Sequence, residues 1–147
     1  MSITQGLKFK KLDLHVHTPA SACFVGENVT PEAIVSEAIQ KGLAGVAITD
    51  HDTGAWVDRV KMAAQGKPLV VFPGMEILVP AGAGGVHVLA ILDVDKTTKD
   101  LDELTGALKI KNVDGHLISE LSLYEVVDQI TGKIYNGLAI LAHCTGP

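Results

Sequence analysis

The sequence predicts an α/β fold, because short apolar runs typical of buried strands alternate with amphipathic segments typical of helices. Residues 43–48 form a nearly all-apolar run, the pattern of a strand buried on both faces of a parallel sheet. Segments 97–108 and 121–134 carry charges on one side and Leu, Val and Ile on the other, as amphipathic helices do. A chain of 147 residues with this alternation is long enough for one domain with a substantial core.

The first predicted strand covers residues 11–16, where polar and apolar side chains alternate with period two. A loop follows, and then Thr30 has the position of a helix N-cap with Pro31 as the first helical residue. The apolar stripe of this helix stops at Gly42, which predicts the end of the helix there.

Two further elements follow the apolar strand at 43–48. Residues 53–64 predict a helix with Val57, Val60 and Met62 facing inward. Residues 69–72 predict the next buried strand, which leads through a Pro-Gly pair towards an acidic residue.

Turn-forming residues fill segment 80–85, and they predict a β-hairpin in which Glu76 pairs with His87. Residues that face each other in such a pair have Cβ atoms about 5 Å apart, so the carboxylate and the imidazole could share one ion. A bulge in the loop would change this pairing, and the alternative is an isolated glutamate beside a solvated histidine. Residues 112–116 predict a loop between two helices, and residues 138–141 predict a last buried strand.

Residues of the types that bind metals recur where the predicted strands end. Taken singly, each histidine would ordinarily be a hydrogen-bonded core or surface residue. Several of them at neighbouring strand tips indicate a metal-centred hydrolase site, because each strand supplies only one or two side chains there. The recurring residues are His15, His17, Asp50, His51, Asp52, Glu76, His87 and His143.

Composition and charge exclude several classes of function. The net charge is −5 at pH 7 and no Lys or Arg cluster is present, which argues against a basic nucleic-acid-binding patch. An anionic substrate would have to be attracted by metal ions. No apolar stretch approaches the roughly 20 residues of a membrane span, and Cys23 and Cys144 do not make a disulfide framework. We therefore expect a soluble, cytoplasmic protein with reduced thiols and no membrane partner.

Five short elements occur in the order H-x-H, T-D-H, G-x-E, H-V-L and A-H, and this order resembles the PHP superfamily, named for polymerase and histidinol phosphatase. The resemblance covers residues 12–143. It implies a distorted, TIM-like (β/α)7 barrel that holds two or three divalent ions, commonly zinc, manganese or iron, and hydrolyses phosphoesters. The matching residues are His15 and His17, Thr49-Asp50-His51, Gly74-Met75-Glu76, His87-Val88-Leu89 and Ala142-His143.

The resemblance also implies how the ligands divide among the ions. His15 and His17 would hold a first ion. Glu76 would bridge this ion to a second one, held by His87 and His143. Because the two histidines of the first pair lie at i and i+2 of one strand, they share a face, and their spacing is compatible with this assignment.

A third ion, by the same resemblance, would use His51 and Cys23, since some members place a ligand in the loop after the H-x-H pair. A thiolate ligand suits zinc or iron. Asp13, Asp50 and Asp52 are candidates for acceptors that hydrogen-bond to metal-bound imidazoles and orient them. Asp13 and Asp52 could equally be ordinary polar residues beside a site.

One departure from the family pattern concerns its last element. Family members complete the first and third sites with a D-x-H element downstream of A-H, and this chain ends before it. Asp114-Gly115-His116 has that spacing but comes too early in the order, so His116 is expected to be a loop residue. We therefore expect residues 1–147 to form one PHP-like domain without its last strands. Such an open barrel would pair with itself or with a missing segment.

The leading functional hypothesis is a metal-dependent phosphoesterase or phosphatase. In it, a metal-activated hydroxide attacks the phosphorus of a small phosphorylated metabolite, a nucleotide or an oligonucleotide end. No side-chain nucleophile is required, so no catalytic residue is assigned. The alternatives are a non-catalytic metal-binding module with a role in assembly or regulation, and a deacylase or amidohydrolase on a similar barrel.

Overall fold

The computed structural model describes residues 8–82, 84–113 and 116–143. Strands and helices alternate through most of these ranges, as the sequence pattern predicted. In chain order the elements are β1 (Leu12–Val16), α1 (Pro31–Gln40), β2 (Gly45–Ile48), α2 (Val57–Ala63), β3 (Val70–Val79), β4 (Val86–Ile91), α3 (Thr98–Ala107), β5 (Ile110–Val113), β6 (His116–Ser119), α4 (Leu123–Thr131) and β7 (Leu138–Ala142).

The main sheet has five strands in the order β1-β2-β3-β4-β7, and β5 and β6 form a separate two-stranded hairpin. β1, β2 and β3 run parallel to one another, and β4 is antiparallel to both of its neighbours, β3 and β7. β7 therefore runs in the same direction as the first three strands. The fold is a mixed α/β fold whose curled sheet forms a half-barrel.

The two faces of the sheet have different surroundings. One face packs against the four helices around fully buried side chains such as Val46, Ile48 and Met75. The other face carries a smaller apolar cluster built on Ala47 and Leu89. Within the described ranges the helices thus cover one side of the sheet, as in one part of a barrel wall.

The helix starts follow the predicted capping chemistry. The Thr30 side chain accepts a hydrogen bond from the Ala33 N–H, with Pro31 as the first helical residue. In α2 the prediction for Met62 was wrong, because this side chain is 69% exposed. Val57 and Val60 are fully buried and Met62 lies two residues beyond Val60, on the opposite side of the helix.

The third strand continues past the point where it was expected to end. β3 runs through the Pro-Gly pair without a break, so Glu76 lies inside it. The strand fits between its neighbours β2 and β4 at this point because position 74 is glycine. A Cβ atom on Gly74 would lie 2.8 Å from the Ala90 carbonyl oxygen and 3.1 Å from that of Ile48.

The hairpin between β3 and β4 is present, but its predicted register was wrong. Leu78 pairs with His87, and Glu76 pairs with Leu89. The shift of two residues arises in the loop, where Gly85 has a positive φ of 74° and donates its N–H to the Ala81 carbonyl. Glu76 and His87 still lie on one face, as diagonal neighbours.

The predicted loop at 112–116 was also wrong. Ile110–Val113 and His116–Ser119 are antiparallel strands in which Val113 pairs with His116. His116 is therefore a strand residue, whereas Asp114 and Gly115 lie outside the described residues. Local alternation was too weak to predict this pair because both strands have only four residues.

The predicted count of seven barrel strands is not confirmed, since the main sheet of the described ranges has five. β1 and β7 are its edges, and Leu12 and Leu138 on these edges are 44% and 52% exposed. The edges are of the kind that another strand can pair with, but association and the single-domain boundary remain predictions. Among the described residues no helix is long and apolar enough to cross a bilayer.

Candidate metal centre

The predicted ligands meet at one edge of the sheet. His15 lies near the end of β1, and His51 and His143 follow β2 and β7. Glu76 lies at the same level because β3 extends beyond β2, and His51 forms a parallel bridge with it. His87 is near the beginning of β4, but β4 is antiparallel, so its beginning lies at the edge where its neighbours end.

These side chains surround the Glu76 carboxylate, which is fully buried. One carboxylate oxygen, Oε2, faces three imidazoles and the other, Oε1, faces two. We call Glu76 and the five histidines the histidine cluster. Measured from ring nitrogen to the nearer Glu76 oxygen, the distances are 2.8 Å for His15, 3.1 Å for His17 and 3.7 Å for His51 on Oε2, and 2.5 Å for His87 and 3.5 Å for His143 on Oε1.

Three donor atoms of the cluster form a compact triangle. His15 Nε2 and His17 Nε2 lie 3.1 Å apart, and both are close to Glu76 Oε2. Four ligands placed tetrahedrally about 2.1 Å from a zinc ion are about 3.4 Å from one another. The spacing of the triangle is therefore close to what one tetrahedral ion requires, and nitrogen and carboxylate oxygen are suitable donors.

Two other groups of donors overlap with this triangle. His17, Cys23 and His51 place their ligand atoms within 4.8 Å of one another, and so do His51, Glu76 and His87. Cys23 is exposed and is not in a disulfide. The structure thus brings together all seven predicted ligands, although His143 is 66% exposed and stands at the margin of the cluster. Such an arrangement can hold divalent metal ions.

Asp50 holds the loop that follows the H-x-H pair. Its two carboxyl oxygens accept hydrogen bonds from the Thr18 N–H at 2.6 Å and from the Thr18 hydroxyl at 2.5 Å, and both residues are fully buried. Neither of these bonds involves an imidazole, whereas Asp50 was predicted to orient a metal-bound histidine. Because Thr18 follows His17 and Asp50 precedes His51, this contact sets the relative position of two candidate ligands.

Ser21 is a supporting residue that the sequence analysis missed. Its hydroxyl lies 3.0 Å from His17 Nδ1 and accepts the backbone N–H of His51 at 2.9 Å. A hydroxyl that accepts from Nδ1 leaves Nε2 free to face the Glu76 carboxylate. The available signal was a hydroxyl residue four positions after a candidate ligand, which alone is too common to be informative.

We expect Ser21→Ala to weaken metal binding about 10- to 100-fold, the range found when an orienting partner of a metal-bound histidine is removed. Competition with a chromogenic chelator measures this affinity. Ser36→Ala on the exposed side of α1 is the matched control and should leave it unchanged. Equal affinity of the Ser21→Ala and Ser36→Ala proteins would contradict the orienting role.

Asp13 and Asp52 have different surroundings from those predicted. The exposed Asp13 carboxyl accepts the backbone N–H of His15 at 3.2 Å rather than a ring N–H. One carboxyl oxygen of Asp52 is buried without a hydrogen-bond partner among the described residues, and the residue has a left-handed φ of 53°. Asp52 lies beside the cluster, and its backbone N–H donates to the Glu76 carbonyl at 3.0 Å.

The electrostatics of the centre follow from burial and from neighbouring charges. Burial alone would raise the pKa of Glu76, but the hydrogen bond with His15 and the surrounding imidazoles outweigh it, and the pKa is lowered. Burial lowers the pKa of His51 against the opposing effect of Glu76. Burial, with a contribution from the Glu76 charge, raises the pKa of Asp52 to about 7. The centre thus favours neutral His51 and ionised Glu76, the states that bind metals.

We expect Asp52→Asn to stabilise the metal-free protein at pH 8 by about 1–2 kcal/mol, allowing for partial exposure. When the pKa of a carboxyl group rises on folding, ionisation of that group destabilises the folded state. This penalty is absent below the unfolded pKa of 3.8 and complete above about 7, so the gain should grow between these values. Asparagine tolerates the left-handed backbone as aspartate does.

Urea unfolding of chelator-treated protein between pH 5 and 8 measures this gain. Asp102→Asn on the exposed face of α3 is the matched control. A gain for Asp52→Asn that is the same at every pH would contradict the ionisation penalty.

Comparison with known proteins identifies the family. Residues 13–145 match the PHP domain family, over nearly the whole chain. The chain belongs to the PHP family. Its relatives include the 5'-3' exoribonuclease Rnm of Escherichia coli, which is 35% identical over 112 residues, 74% of this chain and 36% of the relative. The sequence-based recognition of the family is confirmed.

Two solved structures resemble this PHP chain. A protein from Bifidobacterium adolescentis assigned as a metal-dependent phosphoesterase is 32% identical, with a TM-score of 0.50 over 68% of this chain and 33% of that one. An amidohydrolase from Chromobacterium violaceum has a TM-score of 0.52 over 67% and 33%, and its 24% identity supports the fold alone. The chain spans about a third of the length of these proteins and of the exoribonuclease.

Proposed function

We propose that this PHP chain carries a metal-dependent phosphoester hydrolase site. The main support is the Glu76 carboxylate, which is buried and faces imidazoles from different strands with both of its oxygens. A carboxylate in this position is suited to bridge two cations, as in two-metal hydrolytic sites. Membership in a family whose relatives include phosphoesterases and exoribonucleases supports the same reaction class.

The chain offers ligands for two or three divalent ions, which we propose to be zinc, manganese or iron. His15 and His17 would hold a first ion and His87 and His143 a second, with Glu76 between them. Ions so held would lower the pKa of water and neutralise phosphate oxygens.

A third position would use Cys23 and His51. The ligand atoms of these two residues lie within 4.8 Å of each other and of a His17 ring nitrogen. The thiol favours zinc or iron over the harder manganese at this position.

The protein residues around the centre would act by positioning. The Ser21 hydroxyl lies 3.0 Å from His17 Nδ1 and, by accepting a hydrogen bond from it, would leave Nε2 directed at Glu76. The contact between Asp50 and Thr18 keeps the loop after β1 against the end of β2. Because the chain has a net charge of −5, cations in the centre would supply most of the attraction for a phosphate group.

We propose that the substrate is a small phosphorylated molecule, a nucleotide or an oligonucleotide end. The Escherichia coli relative is a 5'-3' exoribonuclease, which favours the nucleotide classes for this chain. Because the chain covers 36% of that relative, we propose, by analogy with the longer protein, that this chain acts on such substrates. A cytoplasmic location remains a prediction.

The test is hydrolysis of p-nitrophenyl phosphate by chelator-treated protein reloaded with zinc, manganese or iron. We expect metal to bind, phosphate to be released, and both to be lost in the double variant His15→Ala/His17→Ala. The matched control is His116→Ala for metal content, since His116 is outside the histidine cluster.

Two results would point to other functions. Metal binding without release of phosphate from any ester would favour a non-catalytic metal-binding module with a role in assembly or regulation. Hydrolysis of amides in preference to phosphate esters would favour a deacylase or amidohydrolase. Absence of bound metal would contradict these two functions and the proposed phosphoester hydrolase alike.

A further inference from the structure

A cavity of about 640 Å³ opens directly beside the histidine cluster. His51 and His87 belong both to the cluster and to the cavity wall, so a phosphate group at the cluster would have this space next to it. The volume lies in the range of pockets that bind small organic molecules and is larger than a phosphate group requires. The cavity can therefore receive the organic part of a phosphate ester.

The wall away from the cluster is mainly apolar. Leu78 of β3 lies two residues after Glu76, on the same face of the strand, and Ala20 and Ala22 line the cavity from the loop after β1. Leu117 of β6 completes this wall although it is 43% exposed. Aliphatic side chains around this space favour an apolar ring over a polar sugar or an alkyl chain with hydroxyl groups.

The β5–β6 hairpin brings two of the lining residues, His116 and Leu117, to the cavity. β6 packs against β3, and its far end is held by Ser119, whose buried hydroxyl donates to the Leu108 carbonyl at 2.7 Å and accepts from the Leu121 N–H at 3.1 Å. His116 is exposed, and within the described residues its ring has no hydrogen bond or ion pair. Its imidazole is thus available to contact a ligand.

We propose that this cavity binds the planar aromatic ring of a phosphate ester, a nucleobase or an aryl group, and that Leu117 and His116 contact the ring. The inference rests on the proposed function, since the phosphate of the same molecule would lie at the histidine cluster. Histidine is one of the side chains on which nucleobases stack. The hairpin would then select aromatic phosphate esters over glycerol phosphate and similar molecules.

Equilibrium binding to the metal-loaded protein tests the proposal without relying on turnover. The probes are adenosine 5'-monophosphate and glycerol 3-phosphate, measured by calorimetry. We expect the nucleotide to bind at least about tenfold more tightly, and Leu117→Ala and His116→Ala each to weaken its binding about five- to thirtyfold, the effect of losing one stacking or packing contact with a base. Glycerol 3-phosphate binding should change less than about twofold in both variants.

Two further variants separate ring contact from a general effect on the hairpin. His116→Phe keeps an aromatic face and is expected to retain most of the affinity for the nucleotide. Val113→Ala is the matched control, because Val113 pairs with His116 but does not line the cavity and is similarly exposed, at 41%. Equal loss in the Val113→Ala protein, or no loss in the Leu117→Ala and His116→Ala proteins, would overturn the proposal.

A 5'-phosphorylated adenosine dinucleotide distinguishes two sources of the ring. Binding tighter than that of the mononucleotide identifies an oligonucleotide end, and equal binding identifies a free nucleotide; both support the ring site.

Failure of the inference also differs from failure of the proposed function. Hydrolysis of phosphate esters with no discrimination in binding would overturn only the ring site. Cavity-dependent nucleotide binding without hydrolysis of any ester would contradict only the proposed function.

Discussion

Glu76→Gln is expected to abolish stoichiometric metal binding and to lower phosphoester hydrolysis by about a thousandfold or more, the rate equivalent of losing several kcal/mol of metal-ion catalysis. Glutamine keeps the shape of the side chain but has one acceptor oxygen and no negative charge. It therefore cannot face the imidazoles of His15 and His87 with two equivalent anionic oxygens, as the buried carboxylate does. Metal analysis by mass spectrometry after dialysis, together with the rate on p-nitrophenyl phosphate, measures both effects.

The matched control for this experiment is Glu103→Gln. Glu103 is 62% exposed on α3 and forms an ion pair with Lys99, one turn away. We expect this variant to keep its metal and its rate. A Glu76→Gln protein that folds normally and retains the metal content of the Glu103→Gln protein would show that Glu76 is not the bridging ligand.

Asp50→Asn should produce the largest loss of folding stability, about 2–4 kcal/mol, because the buried carboxyl group accepts two hydrogen bonds from Thr18. An amide group carries no negative charge and can accept only one of these bonds, so the contacts with Thr18 become weaker and the Thr18 hydroxyl has to turn to accept from the amide. The loop between His17 and Ser21 would then be displaced, so we also expect metal affinity to fall at least tenfold.

Urea unfolding measures the stability loss in metal-free protein, where binding cannot mask it. Asp102→Asn, on the exposed face of α3, is the matched control and should change stability by less than about 0.5 kcal/mol. A metal-free Asp50→Asn protein as stable as this control would contradict the structural role of the contact with Thr18.

Local rules account for the parts of the fold that the sequence predicted. The H-x-H pair follows from the period of two in a strand, and Thr30 with Pro31 from helix capping, so each depends on near neighbours only. The candidate ligands at strand ends were predictable as a set, because runs of apolar residues mark the strands and the polar residues that follow mark one edge of the sheet.

Contacts that depend on loops or on distant segments could not be predicted in this way. The register of the β3–β4 hairpin depends on a positive φ at Gly85, which a glycine allows but does not require. The roles of Ser21 and His116 depend on how the loop after β1 and the β5–β6 hairpin pack against other strands. No periodic pattern encodes such packing, and residues of these types are common on protein surfaces.

The most direct test of the metal centre is anomalous diffraction from crystals grown with zinc or manganese. We predict an ion about 2.0–2.2 Å from His15 Nε2, His17 Nε2 and a carboxylate oxygen of Glu76, with further ions near His87 or His51. Metal peaks located elsewhere, or a histidine cluster without any peak in a protein saturated with metal, would contradict it.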